Sequence, residues 1–308
     1  MSRGIGIRYN KHGVRLLSLD RSEKKLKITG IAAGPPEETL NTFLKSKVTS
    51  DEDTAITIGL GPGDFLSSTI IREGDMTGTN MKEHLHWEIE RKMISSPSEF
   101  ICDYFITDTV GCVFAGNRSL IGKRKEALSE FVTPEFKIFT DVEPVALYNG
   151  SEGAGEIENN TIMFISIEAE GISSLLINNG SLNDLESVPF QEDELIKIIP
   201  GLDSEGMNNI DDATVGRISG YIIDSLKRLT SFGEYKDKLT PKKLILSGGG
   251  VYIGDLTEVV GKSAGIPAVI SNPLKLLAPE NREDRPELAD MGAAFTTCFG
   301  LALRALED

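Results

Sequence analysis

The stretch LILSGGGVYIG, residues 244–254, decides how the rest of the chain is interpreted. Its apolar start is typical of a strand buried on both faces. Three glycines follow, and residues 252–264 then show helical spacing of apolar positions. Glycine has no Cβ and tolerates positive φ, so the backbone can approach a ligand closely at such a turn. Free N–H groups at a helix start also suit a phosphate. The same pattern joins strands to helices where no ligand binds, so both interpretations stay open.

Composition limits the classes of function that need to be considered. The chain has 308 residues and a net charge of −15. Its length allows two domains, and its negative charge argues against a nucleic-acid partner and against direct attraction to an anionic membrane. Three cysteines without a Cys-x-x-Cys pair, and three histidines, indicate reduced thiols and argue against a metal site. No apolar run is long enough to span a bilayer, and the start lacks a signal-peptide core, so we expect a cytoplasmic protein.

Both halves of the chain open in the same way. Strand-like segments occupy residues 5–9, 14–19 and 25–32, and three more occupy residues 161–168, 173–178 and 181–189. This repetition predicts an internally duplicated α/β fold. The acidic, glycine-rich segment 151–160 directly precedes the second set of three strands. It predicts a domain boundary, with domains at 1–150 and 151–308.

Periodicity supplies the remaining elements. Helices are predicted over residues 37–47, 76–93, 118–131, 141–148, 191–199, 213–232, 252–264 and 288–306. Strands are predicted over residues 55–60, 65–71, 100–108, 110–115, 136–139, 243–247 and 266–270. The last helix carries small residues that allow close packing on a sheet: Gly292, Ala293, Ala294, Gly300 and Ala302.

Known catalytic motifs are missing from the sequence. Residues 261–263, Gly-Lys-Ser, resemble the end of a phosphate-binding P-loop, but Leu256 stands where the first glycine is needed and the segment ends a helix. There is no Gly-x-Ser-x-Gly nucleophile turn. Acidic clusters at residues 51–53, 192–194 and 211–212 are interpreted as solvated faces or helix caps. The residues by themselves name no activity.

Five short motifs occur in order along the chain. They are HWEIERK at 86–92 with DYF at 103–105, DVEPVAL at 141–147, LSGGGVYIGDL at 246–256, Asn-Pro at 272–273 and GLALR at 300–304. Together they resemble the PilM family of type IV pilus assembly, which is similar to the cell-division protein FtsA. The resemblance covers nearly the whole chain.

This resemblance implies an actin-like fold, two ribonuclease-H-like halves around a nucleotide cleft. It implies an inserted subdomain at about 72–139 and an abbreviated small subdomain at about 191–232. It further implies a cytoplasmic scaffold that is peripheral to the inner membrane. Such a scaffold would bind the cytoplasmic tail of a PilN-like membrane protein and other assembly subunits. Homo-oligomerisation, and a pilus, secretion or cell-division setting, stay open. We expect the tail in a groove near Trp87, Ile89 and Phe105, residues that would otherwise form core.

The nucleotide motifs depart from the family pattern. Arg8 stands where a magnesium-binding carboxylate is wanted, Asn10 replaces a turn glycine, and the acid of the second hairpin is displaced. We therefore expect no catalytic residue, no metal and no cofactor. The alternatives are an ATPase switch holding ATP or ADP with Mg²⁺ and, less favoured, a sugar- or acetate-kinase-like phosphotransferase. A nucleotide, if bound, would contact Asn10, Lys11, Gly171, Ser173, Gly248, Gly249, Gly250 and Tyr252.

Overall fold

The computed structural model describes residues 2–10, 13–22, 25–47, 53–72, 78–132, 136–190, 212–231, 239–276 and 290–307. These residues form two five-stranded sheets and one three-stranded sheet. No helix in these ranges is long and apolar enough to cross a membrane.

The first five-stranded sheet forms the base of the first half. Its strands are β1 (Ser2–Tyr9), β2 (Val14–Ser22), β3 (Lys25–Gly34), β4 (Asp53–Leu60) and β8 (Lys137–Val142), in the order β3-β2-β1-β4-β8. β1 pairs antiparallel with β2 and parallel with β4. Helix α1 (Pro36–Lys47) buries Leu40, Phe43 and Leu44 against this sheet.

The second half repeats this arrangement. Its strands are β9 (Thr161–Glu168), β10 (Gly171–Asn178), β11 (Ser181–Pro189), β12 (Lys243–Ser247) and β13 (Ala268–Ile270), in the order β11-β10-β9-β12-β13. Matched along the chain, the two orders are the same, and the predicted duplication is confirmed. Helices α5 (Asp212–Ser231) and α6 (Leu256–Ala264) pack on each other in this half.

An inserted subdomain interrupts the first half between β4 and β8. It contains β5 (Phe65–Ile71), α2 (Gly78–Glu90), β6 (Phe100–Ile106), β7 (Val110–Asn117) and α3 (Arg118–Ser129), with strand order β5-β7-β6. The insertion begins before residue 72, where the sequence placed its start, because residues 65–71 pair with β7. Residues 137–139 pair with β4 and belong to the main sheet.

Two helices cross between the halves. α4 (Glu143–Gly153) follows the first-half sheet but contacts β10 and β11, and α7 (Thr296–Ala305) ends the second half but packs on β1. They also pack on each other, and a Cβ placed on Gly300 would lie only 1.7 Å from the carbonyl O of Ala146. The segment 151–160, predicted as the boundary between halves, therefore starts inside a helix that joins them.

Several helix boundaries differ from the sequence prediction. The glycine turn continues as a 3-10 turn, Gly249–Tyr252, so the following helix starts at Leu256. The C-terminal helix starts at Thr296 after a second 3-10 turn, Gly292–Phe295. α2 ends at Glu90 and not at residue 93. The helix predicted at 191–199, and much of the predicted small subdomain at 191–232, lie outside the described residues.

Candidate functional site

Five charged side chains meet in the cleft between the halves and are called here the charge cluster. Arg8 on β1, Arg15 on β2 and Glu143 at the start of α4 come from the first half. Glu168 at the end of β9 and Glu170 in the β9–β10 turn come from the second. All but Glu170 are buried. Buried charges persist only when they are paired, so the contacts among these five matter.

The two arginines reach across the cleft. Arg8 Nη2 donates to Glu170 Oε2 at 2.5 Å, and its Nε lies 2.8 Å from Glu143 Oε1 and 3.5 Å from Glu168 Oε1. The Nε–H is not aimed along a hydrogen bond, so its two contacts are ion pairs. Arg15 Nη2 donates to Glu168 Oε2. Arg8 and Arg15 are therefore each paired with a glutamate of the second half.

Burial and charge act in opposite directions on these groups. Burial alone would lower the pKa of Arg8, but its three glutamate neighbours outweigh burial and raise that pKa well above its usual value. Burial raises the pKa of Glu143 to about 7, against the attraction of Arg8. Burial would also raise the pKa of Glu170, but Arg8 outweighs it and lowers that pKa. Three carboxyl groups face two guanidinium groups, which leaves a surplus of negative charge. The raised pKa of Glu143 favours a proton on its carboxyl group, and that proton reduces the surplus.

The glycine turn predicted to approach a phosphate faces this cluster. The N–H of Gly249 points to Glu168 Oε2 at 3.4 Å. Gly248 has φ 86°, and a Cβ there would lie 2.2 Å from the carbonyl O of Ile167. Gly250 packs on the Ile167 side chain in the same way. Gly248 and Gly250 are thus required by the close approach of β9, independently of any ligand.

The other predicted nucleotide contacts have their polar groups bonded within the chain. Tyr252 Oη accepts the N–H of Ala293 at 3.1 Å, and burial raises the pKa of Tyr252 to about 12. Ser173 Oγ lies 3.1 Å from Ser187 Oγ on the neighbouring strand. Asn10 closes the β1–β2 turn by accepting, through its side chain, the N–H of residue 13. The remaining two positions are Gly171, which begins β10, and Lys11, which lies outside the described residues.

This donor set does not fit a magnesium-bound nucleotide. Mg²⁺ prefers carboxylate and phosphate oxygens, and Arg8 brings a permanent positive charge to this site. A phosphate would have to compete with three glutamates for Arg8 and Arg15. In the described ranges, no group of three His, Cys, Asp or Glu side chains is arranged to hold a metal ion.

A groove of about 250 Å³ lies between the inserted subdomain and the first-half sheet. β6 is an outer strand of the three-stranded sheet and β8 is an outer strand of the first-half sheet. Ile101, Asp103 and Phe105 of β6 and Thr140, Asp141 and Val142 of β8 contribute to the walls of the groove. Apolar side chains dominate its walls, and three charged ones join them. The apolar residues are Leu60, Ile101, Phe105, Phe114, Ile121, Val142 and Val145, and the charged ones are Asp103, Asp141 and Arg304.

Asp141 is the unusual side chain of this groove. Its Oδ1 accepts the N–H of Val142 at 2.8 Å, whereas its Oδ2 is buried and accepts no hydrogen bond from the described residues. Burial raises the pKa of Asp141 to about 6. Arg304 opposes this shift by favouring the charged form, and Asp103 adds to it. A buried carboxylate oxygen without a donor is costly, and a ligand that supplies an N–H would remove that cost.

The structure separates the three residues predicted at the partner site. Phe105 lines the groove and stacks edge-on against Tyr148. Ile89 is fully buried where α2 packs on the opposite face of the inserted sheet. Trp87 is 54% exposed on the outer side of α2, where the Arg91 guanidinium lies 4.7 Å from its ring centre. Of these three residues only Phe105 reaches the groove, because α2 packs on the opposite face of the inserted sheet from the one that carries Phe105.

Several residues of these two sites escaped the sequence prediction. Arg8 was recognised as a departure, but its partners Glu143, Glu168 and Glu170 were not. A usable signal exists in hindsight: the Glu-x-Glu of residues 168–170 occupies the same hairpin position in the second half as Arg8 does in the first. Asp141 is part of the DVEPVAL motif, and nothing in its sequence context indicates that one of its oxygens is left without a donor.

Comparisons with known proteins bear on the fold. No family model matches the chain, and no curated protein matches it. The chain is similar to a solved structure described as a PilM-PilN type IV pilus biogenesis complex, at 20% identity and TM-score 0.68 over 99% of both chains. It is also similar to the ethanolamine utilization protein EutJ from Carboxydothermus hydrogenoformans, at 11% identity and TM-score 0.52 over 98% of this chain and 90% of that one. A Bacteroides thetaiotaomicron protein of actin-like ATPase fold follows, at 14% identity and TM-score 0.47 over 94% and 96%. The predicted actin-like fold is confirmed.

Proposed function

We propose that this protein is a PilM-like, non-catalytic scaffold that binds the cytoplasmic tail of a PilN-like inner-membrane protein. The tail lies in the groove between β6 and β8. The protein thereby stays in the cytoplasm and reaches the inner membrane through its partner, in a type IV pilus or a related secretion machine. The similarity to a chain of a PilM-PilN complex supports this choice of partner.

The observation that carries the proposal is the groove itself. An extended peptide can pair with the edge of β6 or β8 through main-chain hydrogen bonds and place apolar side chains on Phe105, Phe114 and Val145. Asp141 Oδ2 then gains a donor from the peptide, either a main-chain N–H or an amide or cationic side chain. An acidic groove with apolar walls favours a short tail that alternates apolar residues with neutral or basic ones.

The test is a titration by calorimetry. The probe is a synthetic peptide of the cytoplasmic residues of the PilN-like protein from the same organism. We expect Phe105→Ala and Asp141→Asn each to weaken binding by roughly tenfold or more, since each removes a contact on the order of 1–2 kcal/mol. Phe105→Ala removes apolar contact area, and Asp141→Asn removes a charged acceptor while keeping the shape.

Trp87→Ala is the matched control, because Trp87 is exposed on the far side of the inserted sheet. It should leave the affinity within about twofold of the unchanged protein, as expected for a surface change away from the contact. Binding that is lost with Trp87→Ala but kept with Phe105→Ala would move the partner site to α2. Wild-type affinity in both groove variants would refute the groove as the tail site.

A working ATPase switch of the same machinery is the alternative. It would need Mg²⁺ and phosphate to displace the glutamates from Arg8 and Arg15, which the contacts of the charge cluster oppose. The kinase-like alternative faces the same obstacle. Neither finds a specific supporting contact among the described residues, and the measurement that separates them from the scaffold is given in the Discussion.

A further inference from the structure

The charge cluster joins the equivalent ends of the two halves. Arg8 and Arg15 belong to the β1–β2 hairpin, and Glu168 and Glu170 belong to the β9–β10 hairpin, which holds the same place in the second sheet. Three of its ion pairs cross the cleft: Arg8 to Glu168, Arg8 to Glu170 and Arg15 to Glu168. The cluster therefore lies where the halves would part if the cleft opened.

A second contact of Arg15 strengthens this link. Its Nη1 donates to the carbonyl O of Ala294 at 2.5 Å, and the Sγ of Cys298 donates to the carbonyl O of Arg15 at 3.4 Å. Ala294 belongs to the 3-10 turn that precedes α7. Arg15 thus ties the first-half hairpin both to β9 and to the turn that leads into the crossing helix. A single side chain therefore couples three elements.

The two crossing helices have little freedom to move against each other. α4 and α7 meet through glycines, and a Cβ on Gly150 would lie 2.7 Å from the carbonyl O of Thr296. Contacts this close leave the two helices little room to slide. A motion that parts the β1–β2 and β9–β10 hairpins must therefore break the three crossing ion pairs.

We propose that the charge cluster is a built-in clamp that holds the cleft closed without a bound ligand. Arg8 and Arg15 act as the permanent positive charge between glutamates of both halves. The clamp keeps the crossing helices, and with them the groove beside α4, in one arrangement. Removing one arginine leaves buried carboxylates facing each other without compensation, which separates the halves on the cluster side. This inference does not depend on the tail-binding proposal.

The test compares two arginine-to-methionine variants of the full chain. Arg8→Met removes the centre of the clamp. Arg3→Met is the matched control, because Arg3 pairs with Asp20 at 2.7 Å inside the first-half sheet and does not cross the cleft. Amide hydrogen exchange and small-angle X-ray scattering are measured for both. A compact chain of this length has a radius of gyration of roughly 19 Å.

In Arg8→Met we expect exchange in the β9–β10 turn and in residues 248–252 to rise by more than about tenfold, because these segments face the opened cleft. The radius of gyration should increase by about 1 Å or more. Arg3→Met should change exchange only near its own site and leave the radius unaltered. Glu170→Gln keeps the volume of the side chain and weakens one crossing ion pair, so it should raise exchange in the same segments by a smaller factor. This second variant tests the proposal if Arg8→Met does not fold. Wild-type exchange and radius in every cluster variant that folds would overturn the proposal.

Discussion

At the scale of single residues, Asp141 offers a test of stability that is separate from binding. Burial raises its pKa from 3.8 to about 6, so the folded protein holds this proton more tightly than the unfolded chain. The stability that it contributes is full below the unfolded pKa and is lost as the pH rises through the folded one. Asp141→Asn has no charge to bury, so it should be more stable than wild type by about 3 kcal/mol near pH 8.

That advantage should disappear near pH 4, where the wild-type carboxyl is largely protonated in the folded state. The measurement is the free energy of unfolding in urea for both proteins across this pH range. Taking the difference cancels the other acidic groups. A constant difference at every pH would show that Asp141 is not held in its neutral form by burial. If Asp141→Asn is more stable but binds the tail of the PilN-like protein more weakly, Asp141 serves binding at the expense of stability.

At the scale of elements, the contact between α4 and α7 depends on a glycine. A Cβ on Gly300 would collide with the main chain of α4 at Ala146, and main chain cannot swing aside as a side chain can. We expect Gly300→Ala to lower the free energy of unfolding by roughly 1–3 kcal/mol, as overpacking of a tight core does. Gly122→Ala is the matched control, since Gly122 is exposed in α3 with open space around it. It should raise stability by about 0.5–1 kcal/mol through helix propensity. Equal effects of both changes would contradict the close approach of the helices.

The elements also show what a sequence can and cannot predict. Strand periods and turn residues predicted both three-strand openings, because alternation and glycine turns are local signals. Pairing is not local, and so residues 65–71 are correctly predicted as a strand but left outside the inserted subdomain, although they pair with β7. The start of α6 was missed because the 3-10 turn at Gly249–Tyr252 is fixed by the approach of β9, a contact distant in sequence.

At the scale of the whole molecule, the duplication was visible because each half repeats its own local pattern. The charge pairing in the cleft could be predicted only in part from the sequence. The arginine at position 8 was evident from its hairpin, but its compensation by Glu143, Glu168 and Glu170 needs three segments brought together by folding. A buried charge can be recognised in a sequence as a departure, whereas its partner is a property of the fold.

Whether the cleft binds a nucleotide is a question about the whole molecule, because both halves contribute to the cleft. A ligand held at a hundred times its dissociation constant adds about 2.7 kcal/mol to folding stability, which raises the melting temperature of a chain of this size by several degrees. We expect millimolar Mg·ATP to leave the melting temperature unchanged, because Arg8, Arg15 and the N–H of Gly249 already face glutamates. Inorganic tripolyphosphate at matched ionic strength controls for general anion effects, and a nucleotide-binding protein of the same fold shows that the assay responds. A shift of several degrees with Mg·ATP but not with tripolyphosphate would mean that nucleotide displaces the cluster. The molecule would then be a switch whose resting state is the closed cleft described above.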